Sequence, residues 1–198
     1  MCTSCKINFN QYSSKNNKTI RYESQTKLAP FSTQKKYQQP TISTFDVFLE
    51  KDYIGFKEAL AFKESQGKYG VVNKFGYLGK YQFGKGTLDL VGIKDSKNFL
   101  KNPALQERAF YANLCRNKWI LRREIKRFSS KWIRGTLITE SGILAAAHLV
   151  GPGAVKKYLR SYGQNSFEDA FGTTVVDYLR KFKSYNISEV IGDRKAKA

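Results

Sequence analysis

The chain has 198 residues, 41% apolar and 14% aromatic, and its 35 Lys and Arg against 16 Asp and Glu give a formal charge of +19. That length holds one ordinary domain with appendages and excludes two full ones, and the apolar share suffices for a packed core. The charge favours polyanionic partners (nucleic acid, an anionic membrane or a bacterial wall) without choosing among them, and the most apolar run, Gly142 to Val150, is half of what a membrane span needs.

Residues 1–43 are rich in Ser, Thr, Asn, Gln and Lys and follow no structural period, so they read as a disordered polar and basic tail. The opening segment lacks the apolar stretch of a secretory signal. The three cysteines, Cys2, Cys5 and Cys115, cannot build a disulfide framework, and an odd count fits a reducing compartment. Cys2 and Cys5 form a C-x-x-C, but no second pair follows and the single histidine is His148, which falls short of a zinc set. The expected domain spans residues 44–190, with 191–198 as a basic C-terminal tail.

Tyr53, Phe56 and Leu60 recur at helical spacing and predict a helix over 53–65, stopped by Gly67. Extending the same stripe by four residues lands on Glu64. The Gly- and aromatic-rich segment 67–93 reads as loops with short β pieces. Asn102 as cap and Pro103 at the first turn open a long helix, whose later part carries a basic flank of Arg116, Arg122, Arg123, Lys126 and Arg127. Residues 141–149 form a helix apolar almost all round, hence central. Gly151-Pro152-Gly153 breaks it, a short helix runs on to Tyr162, and Thr174 with Asp177 resembles a capping box for a last helix through Phe182. The expected fold class is α+β, mainly α, with a small β or loop-rich lobe beside the first helix.

A carboxyl on an apolar helix face, among Phe56, Leu60, Tyr69, Phe75 and Tyr77, is disfavoured in its ionised form, which is the condition a general acid for glycoside cleavage requires. Periodicity alone equally allows an exposed Glu at a frayed helix end. The neighbouring residues add to the case. Glu64-Ser65-Gln66-Gly67-Lys68-Tyr69 resembles the segment that bears the acid in lytic transglycosylases and goose-type lysozymes. Gly79-Lys80-Tyr81-Gln82-Phe83-Gly84 looks like the family's sugar-contacting glutamine element, and Ala145 to Val155, with its Gly151-Pro152-Gly153, is similar to a third family element. The three occur in family order, and the resemblance covers about Phe45 to Tyr185.

What the resemblance implies is a lysozyme-like fold and a muramidase that cuts the MurNAc-GlcNAc β-1,4 bond of peptidoglycan. Glu64 is then the acid/base and Gln82 a ligand of the sugar. Tyr81 and Phe83 would wall the groove, or else simply fill the core. Ser65 would orient Glu64 or its backbone, or else be a helix-terminal polar residue. His148 and Leu149 depart from the family's Tyr-Asn; His148 would either bond Glu64 in its place or be a satisfied histidine of a packed helix. Glu140 is the best candidate for a second carboxylate, kept ionised by a helix N-terminus, or else it merely favours the helix dipole. Asp89 and Asp95 are weaker candidates, and hydrolysis and transglycosylation both stay open.

Neither cofactor nor metal is expected. The expected partner of this monomer is the glycan strand, with no specific nucleic acid. Without a signal, the chain would be made in the cytoplasm and reach the wall or periplasm by a phage particle or other delivery machinery. Rival readings are a non-catalytic basic module that binds glycan or nucleic acid, through Trp119, Phe128 and Trp132 among the cations, and a chitinase-like glycosidase.

Overall fold

The computed structural model describes residues 50–169 and 171–198. The expected tail of residues 1–43, with Cys2 and Cys5, lies outside the described residues. The described part is mainly helical, with a small two-stranded sheet: α1 (Tyr53–Ser65), α2 (Lys85–Leu90), α3 (Ser96–Lys101), α4 (Pro103–Phe128), β1 (Trp132–Ile133), β2 (Thr136–Leu137), α5 (Glu140–Arg160) and α6 (Val175–Lys181).

The long helices form for the reasons the sequence offers. Asp52 caps α1 by accepting from the Gly55 amide at 2.8 Å, and Phe56 and Leu60 bury its inner face completely. The helix ends at Ser65 as expected, with Gln66 taking the left-handed conformation, φ 57°, just ahead of Gly67. Asn102 caps α4 by accepting from the Leu105 amide, with Pro103 in its first turn. α5 is the central helix, packed between α4 and α6, and Ile143, Leu144, Ala145 and Ala146 are fully buried. Its start lies so close to α6 that a Cβ on Gly142 would sit 2.9 Å from the Leu179 carbonyl oxygen. Gly151, at φ 80° and ψ 155°, breaks α5 in two, and Pro152 begins the second part. The Thr174–Asp177 capping box is present in both directions.

Three expectations are corrected. Residues 67–93 are not all loop: Lys85–Leu90 close a helical turn and a half, α2, with Leu88 buried beneath it. Within 67–84 the β character is confined to isolated bridges, Val72 with Leu78 and Leu78 with Phe83. The regular hairpin lies elsewhere, pairing Trp132 with Leu137 and Ile133 with Thr136 about a turn in which Arg134 and Gly135 both have positive φ. Finally, the C-terminal segment is no free tail. Its Asp193 amide donates to the Cys115 carbonyl at 3.0 Å, the Ala198 amide to Val91 at 3.0 Å and Lys197 Nζ to Leu90 at 2.7 Å, while Arg116 donates to the Arg194 carbonyl. Residues 190–198 thereby lie along α4 and the end of α2.

Among the described residues no helix is long and apolar enough to cross a membrane, and no group of three or more His, Cys, Asp or Glu is placed to hold a metal ion.

Candidate active-site cleft

A cleft of about 780 Å³ is lined from four directions: Glu64 at the end of α1, Gln82 and Phe83 from the loop lobe, Asn113 and Arg116 from α4, and His148 from α5. That volume suits a small-molecule or short oligomer ligand. An adjoining groove of about 390 Å³ shares Glu64 and Gln82 and runs past Ser65 and Val72. Glu64 is therefore flanked by open space on two sides.

Glu64 is half-buried, and its Oε1 accepts a hydrogen bond of 2.5 Å from the Tyr178 hydroxyl of α6. Burial, and then the neighbouring Glu64 charge, push the Tyr178 phenol well above its ordinary value, so it stays protonated and serves as a donor. Tyr178 also lines the cleft. One carboxyl oxygen of this lining residue is thus fixed in place.

Ser65 acts on the backbone. Its hydroxyl donates to the Lys80 carbonyl at 2.7 Å and accepts from the Lys68 amide at 3.0 Å, tying the end of α1 to the loop that carries Gln82. Gln82 sits at φ 49°, and its side-chain amide donates back to the Gly79 carbonyl at 2.8 Å, leaving its carbonyl oxygen to the cleft. Phe83 lines the cleft but is only 2% exposed, so it forms floor rather than wall.

Two expected residues are placed differently from their assigned roles. Tyr81 is fully buried and stacks on Phe110 with ring centroids 4.1 Å apart, and its hydroxyl donates to Glu107 at 2.8 Å; it packs the core and offers no face to a sugar. Glu140 lies outside the cleft, in the first turn of α5, and pairs with Lys118 of α4 at 2.5 Å. The weaker candidates are also elsewhere: Asp95 caps α3, and Asp89 is an exposed residue of α2. The carboxylates that do line the cleft with Glu64 are Glu168 and Asp169. His148 lines the cleft too, but its Nε2 meets the Tyr81 carbonyl at 2.8 Å rather than Glu64. A carbonyl can only accept, so Nε2 carries a proton, and Phe83 and Phe110 hold the ring edge to face.

Behind the cleft lies a polar network that sequence patterning does not reveal. Lys80, 4% exposed, donates to Glu58 at 2.7 Å and to Glu107 at 2.9 Å, and Glu107 also accepts from Lys57 and Tyr69. Burial works to raise the Glu107 value, but the hydrogen bonds from Lys57, Lys80 and Tyr69 outweigh it and hold the carboxyl at about 2. Gln106, fully buried, completes the frame: it accepts from the Lys80 amide at 2.8 Å and donates to the Tyr69 and Phe99 carbonyls. Gly79 is required beside it, since a Cβ there would lie 2.2 Å from the Gln106 carbonyl oxygen. Together these contacts fix the loop segment 79–83 against α1 and α4. No family model, curated protein or solved structure matches the chain.

Proposed function

We propose that the chain is a muramidase with a lysozyme-like fold, cutting the β-1,4 bond between MurNAc and GlcNAc in peptidoglycan with Glu64 as general acid/base. The observation that carries this reading is the half-buried Glu64 at the wall of a cleft of about 780 Å³, held by Tyr178 and facing Gln82. The Tyr178 hydroxyl donates to Oε1, which leaves Oε2 as the oxygen that would pass a proton to the glycosidic oxygen. Donation to the glycosidic oxygen leaves a carboxylate that the same hydroxyl then stabilises. Gln82 supplies a fixed amide to bond an acetamido or hydroxyl group of the sugar. The resemblance of three ordered sequence elements to the lytic transglycosylase and goose-type lysozyme families supports the same assignment.

The second step takes one of two courses. Without an activated water, the sugar's own 6-hydroxyl closes an anhydro ring; with one, a reducing end results. Glu140 does not line the cleft and is paired with Lys118, so the carboxylates that could serve that step are the lining residues Glu168 and Asp169. The experiment incubates the protein and its Glu64→Gln variant with isolated peptidoglycan and identifies released sugar ends by mass spectrometry. Soluble muropeptides from the wild type and none from the variant are expected. Equal release from both, or none from either, rules the reading out.

A further inference from the structure

The cleft carries a pair of matching turns. Asn73-Lys74-Phe75-Gly76-Tyr77 and Asp169-Ala170-Phe171-Gly172-Thr173 share one pattern: an Asx residue, a Phe two places on, then Gly. They also share one geometry. Asn73 Oδ1 accepts from the Phe75 and Tyr77 amides at 2.9 and 3.0 Å, and Asp169 Oδ1 from the Phe171 and Thr173 amides at 2.9 and 2.8 Å. The Asn73 amide donates to the Tyr77 carbonyl as the Asp169 amide does to Thr173. Gly76 and Gly172 both turn the chain at positive φ, 80° and 77°. In each turn the Phe amide is tied to the Asx side chain, just before the glycine.

The tips meet. The Phe75 and Phe171 rings lie edge to face with centroids 4.9 Å apart, and Lys74 Nζ sits 5.0 and 5.4 Å from the two centroids. Yet the rings remain 47% and 57% exposed, so core packing does not account for the contact. Asn73, Tyr77, Asp169 and Thr173 all line the same cleft as Glu64. The two segments that line this part of the cleft therefore touch at their aromatic tips.

We propose that Phe75 and Phe171 decide where along a glycan strand the cleft engages: their contact bars the middle of a strand from being laid in sideways and admits a free strand end. This rests on the muramidase reading and adds its mode of attack. Aromatic edges at the closure also suit the apolar faces of pyranose rings sliding beneath them. Neither ring carries a group that can exchange a proton, so both are specificity-determining rather than catalytic.

The test follows product size over time, using the full chain on soluble uncross-linked glycan strands. The wild type is expected to release disaccharide-sized fragments from the outset while the remaining strands shorten slowly. Phe75→Ala with Phe171→Ala is expected to cut internally, raising the share of longer oligomers about tenfold, the scale of one aromatic pair. Phe171→Leu, which keeps an apolar tip, should stay nearer the wild type. Unchanged products from an active double variant overturn the inference. So do internal cuts by the wild type itself, a result that needs no variant to fold. A wild type that releases no sugar at all from these strands or from sacculi sinks the muramidase reading, and this inference with it.

Discussion

The Glu64 carboxyl has two oxygens, and the fold spends one of them on Tyr178. A hydrogen bond to a charged acceptor contributes about 1.5–3 kcal/mol, so Tyr178→Phe should lower kcat on peptidoglycan roughly 10- to 100-fold. KM should hold nearly constant, because the bond serves the acid rather than the sugar; a large rise in KM with kcat intact would contradict the role. Glu64 was legible because it continued an apolar stripe into a recognisable run of residues. Tyr178 was not, since on the stripe of Val175, Tyr178 and Leu179 a tyrosine reads the same whether its hydroxyl meets solvent or a carboxyl. For Tyr81 the sequence left groove and core open, and the structure takes the core, because its hydroxyl has a partner, Glu107, on a helix distant in sequence. That partner gives a pH prediction. Glu107 is held at about 2 against an ordinary 4.5. A depressed value means its contribution to stability is full above about pH 4.5 and is lost as pH falls through 2. Glu107→Gln should therefore cost about 3 kcal/mol in urea unfolding at pH 7, since it strips the buried Lys80 of one partner. The gap from wild type should narrow between pH 4.5 and 2; a constant gap would mean the charge is not what stabilises.

At the level of elements, what the sequence disclosed was what repeats. The stripes of α1, α4 and α5 span many turns, and each has a cap residue whose side chain does what its type predicts. The six residues of α2, flanked by Gly84 and containing Gly86, are too few to show a period, and the two-residue strands of the hairpin show none either. Docking of the C-terminal segment was illegible because each of its hydrogen bonds uses a backbone group on at least one side, and the Lys and Arg of that stretch read like a solvated tail. Removing residues 193–198 should nonetheless lower Tm by about 5 °C, as expected for losing ~1–2 kcal/mol from a domain of this size; an unchanged Tm would show that the segment merely rests on the surface. Gly151 was read correctly as a break, and its reason is conformational. At φ 80° and ψ 155° only glycine is at ease, while a Cβ there would meet nothing within 4 Å. Gly151→Ala should then destabilise by about 1–3 kcal/mol through backbone strain alone, measured by chemical unfolding, and the shift of the α5 break would be felt at His148 in the cleft. A neutral substitution would mean the break tolerates a helical alternative.

Across the whole molecule the charge is arranged as well as large. Several acids are withdrawn into pairs: Glu58 and Glu107 with Lys80, Glu124 with Arg160, Glu140 with Lys118. Each pair cancels locally, so the far field is set by what remains, the formal net charge of +19. On the proposed function, such a field would gather the protein onto a polyanionic wall without contributing to bond cleavage, and it is screened over about 10 Å at 0.1 M salt. Binding and turnover should therefore separate. Affinity of the Glu64→Gln variant for isolated sacculi, measured by sedimentation, should fall about tenfold or more between roughly 50 and 500 mM salt. Turnover of a short, uncharged soluble oligosaccharide by the wild type should barely change over the same range, because on the proposed function Glu64, Tyr178 and Gln82 would act at contact distance inside the cleft. Salt-independent binding to sacculi would place recognition in the cleft alone and leave the basic surface without a part in it. Equal sensitivity of both measurements would instead point to charge acting on the site itself, through Arg116 and Lys63 at its edge.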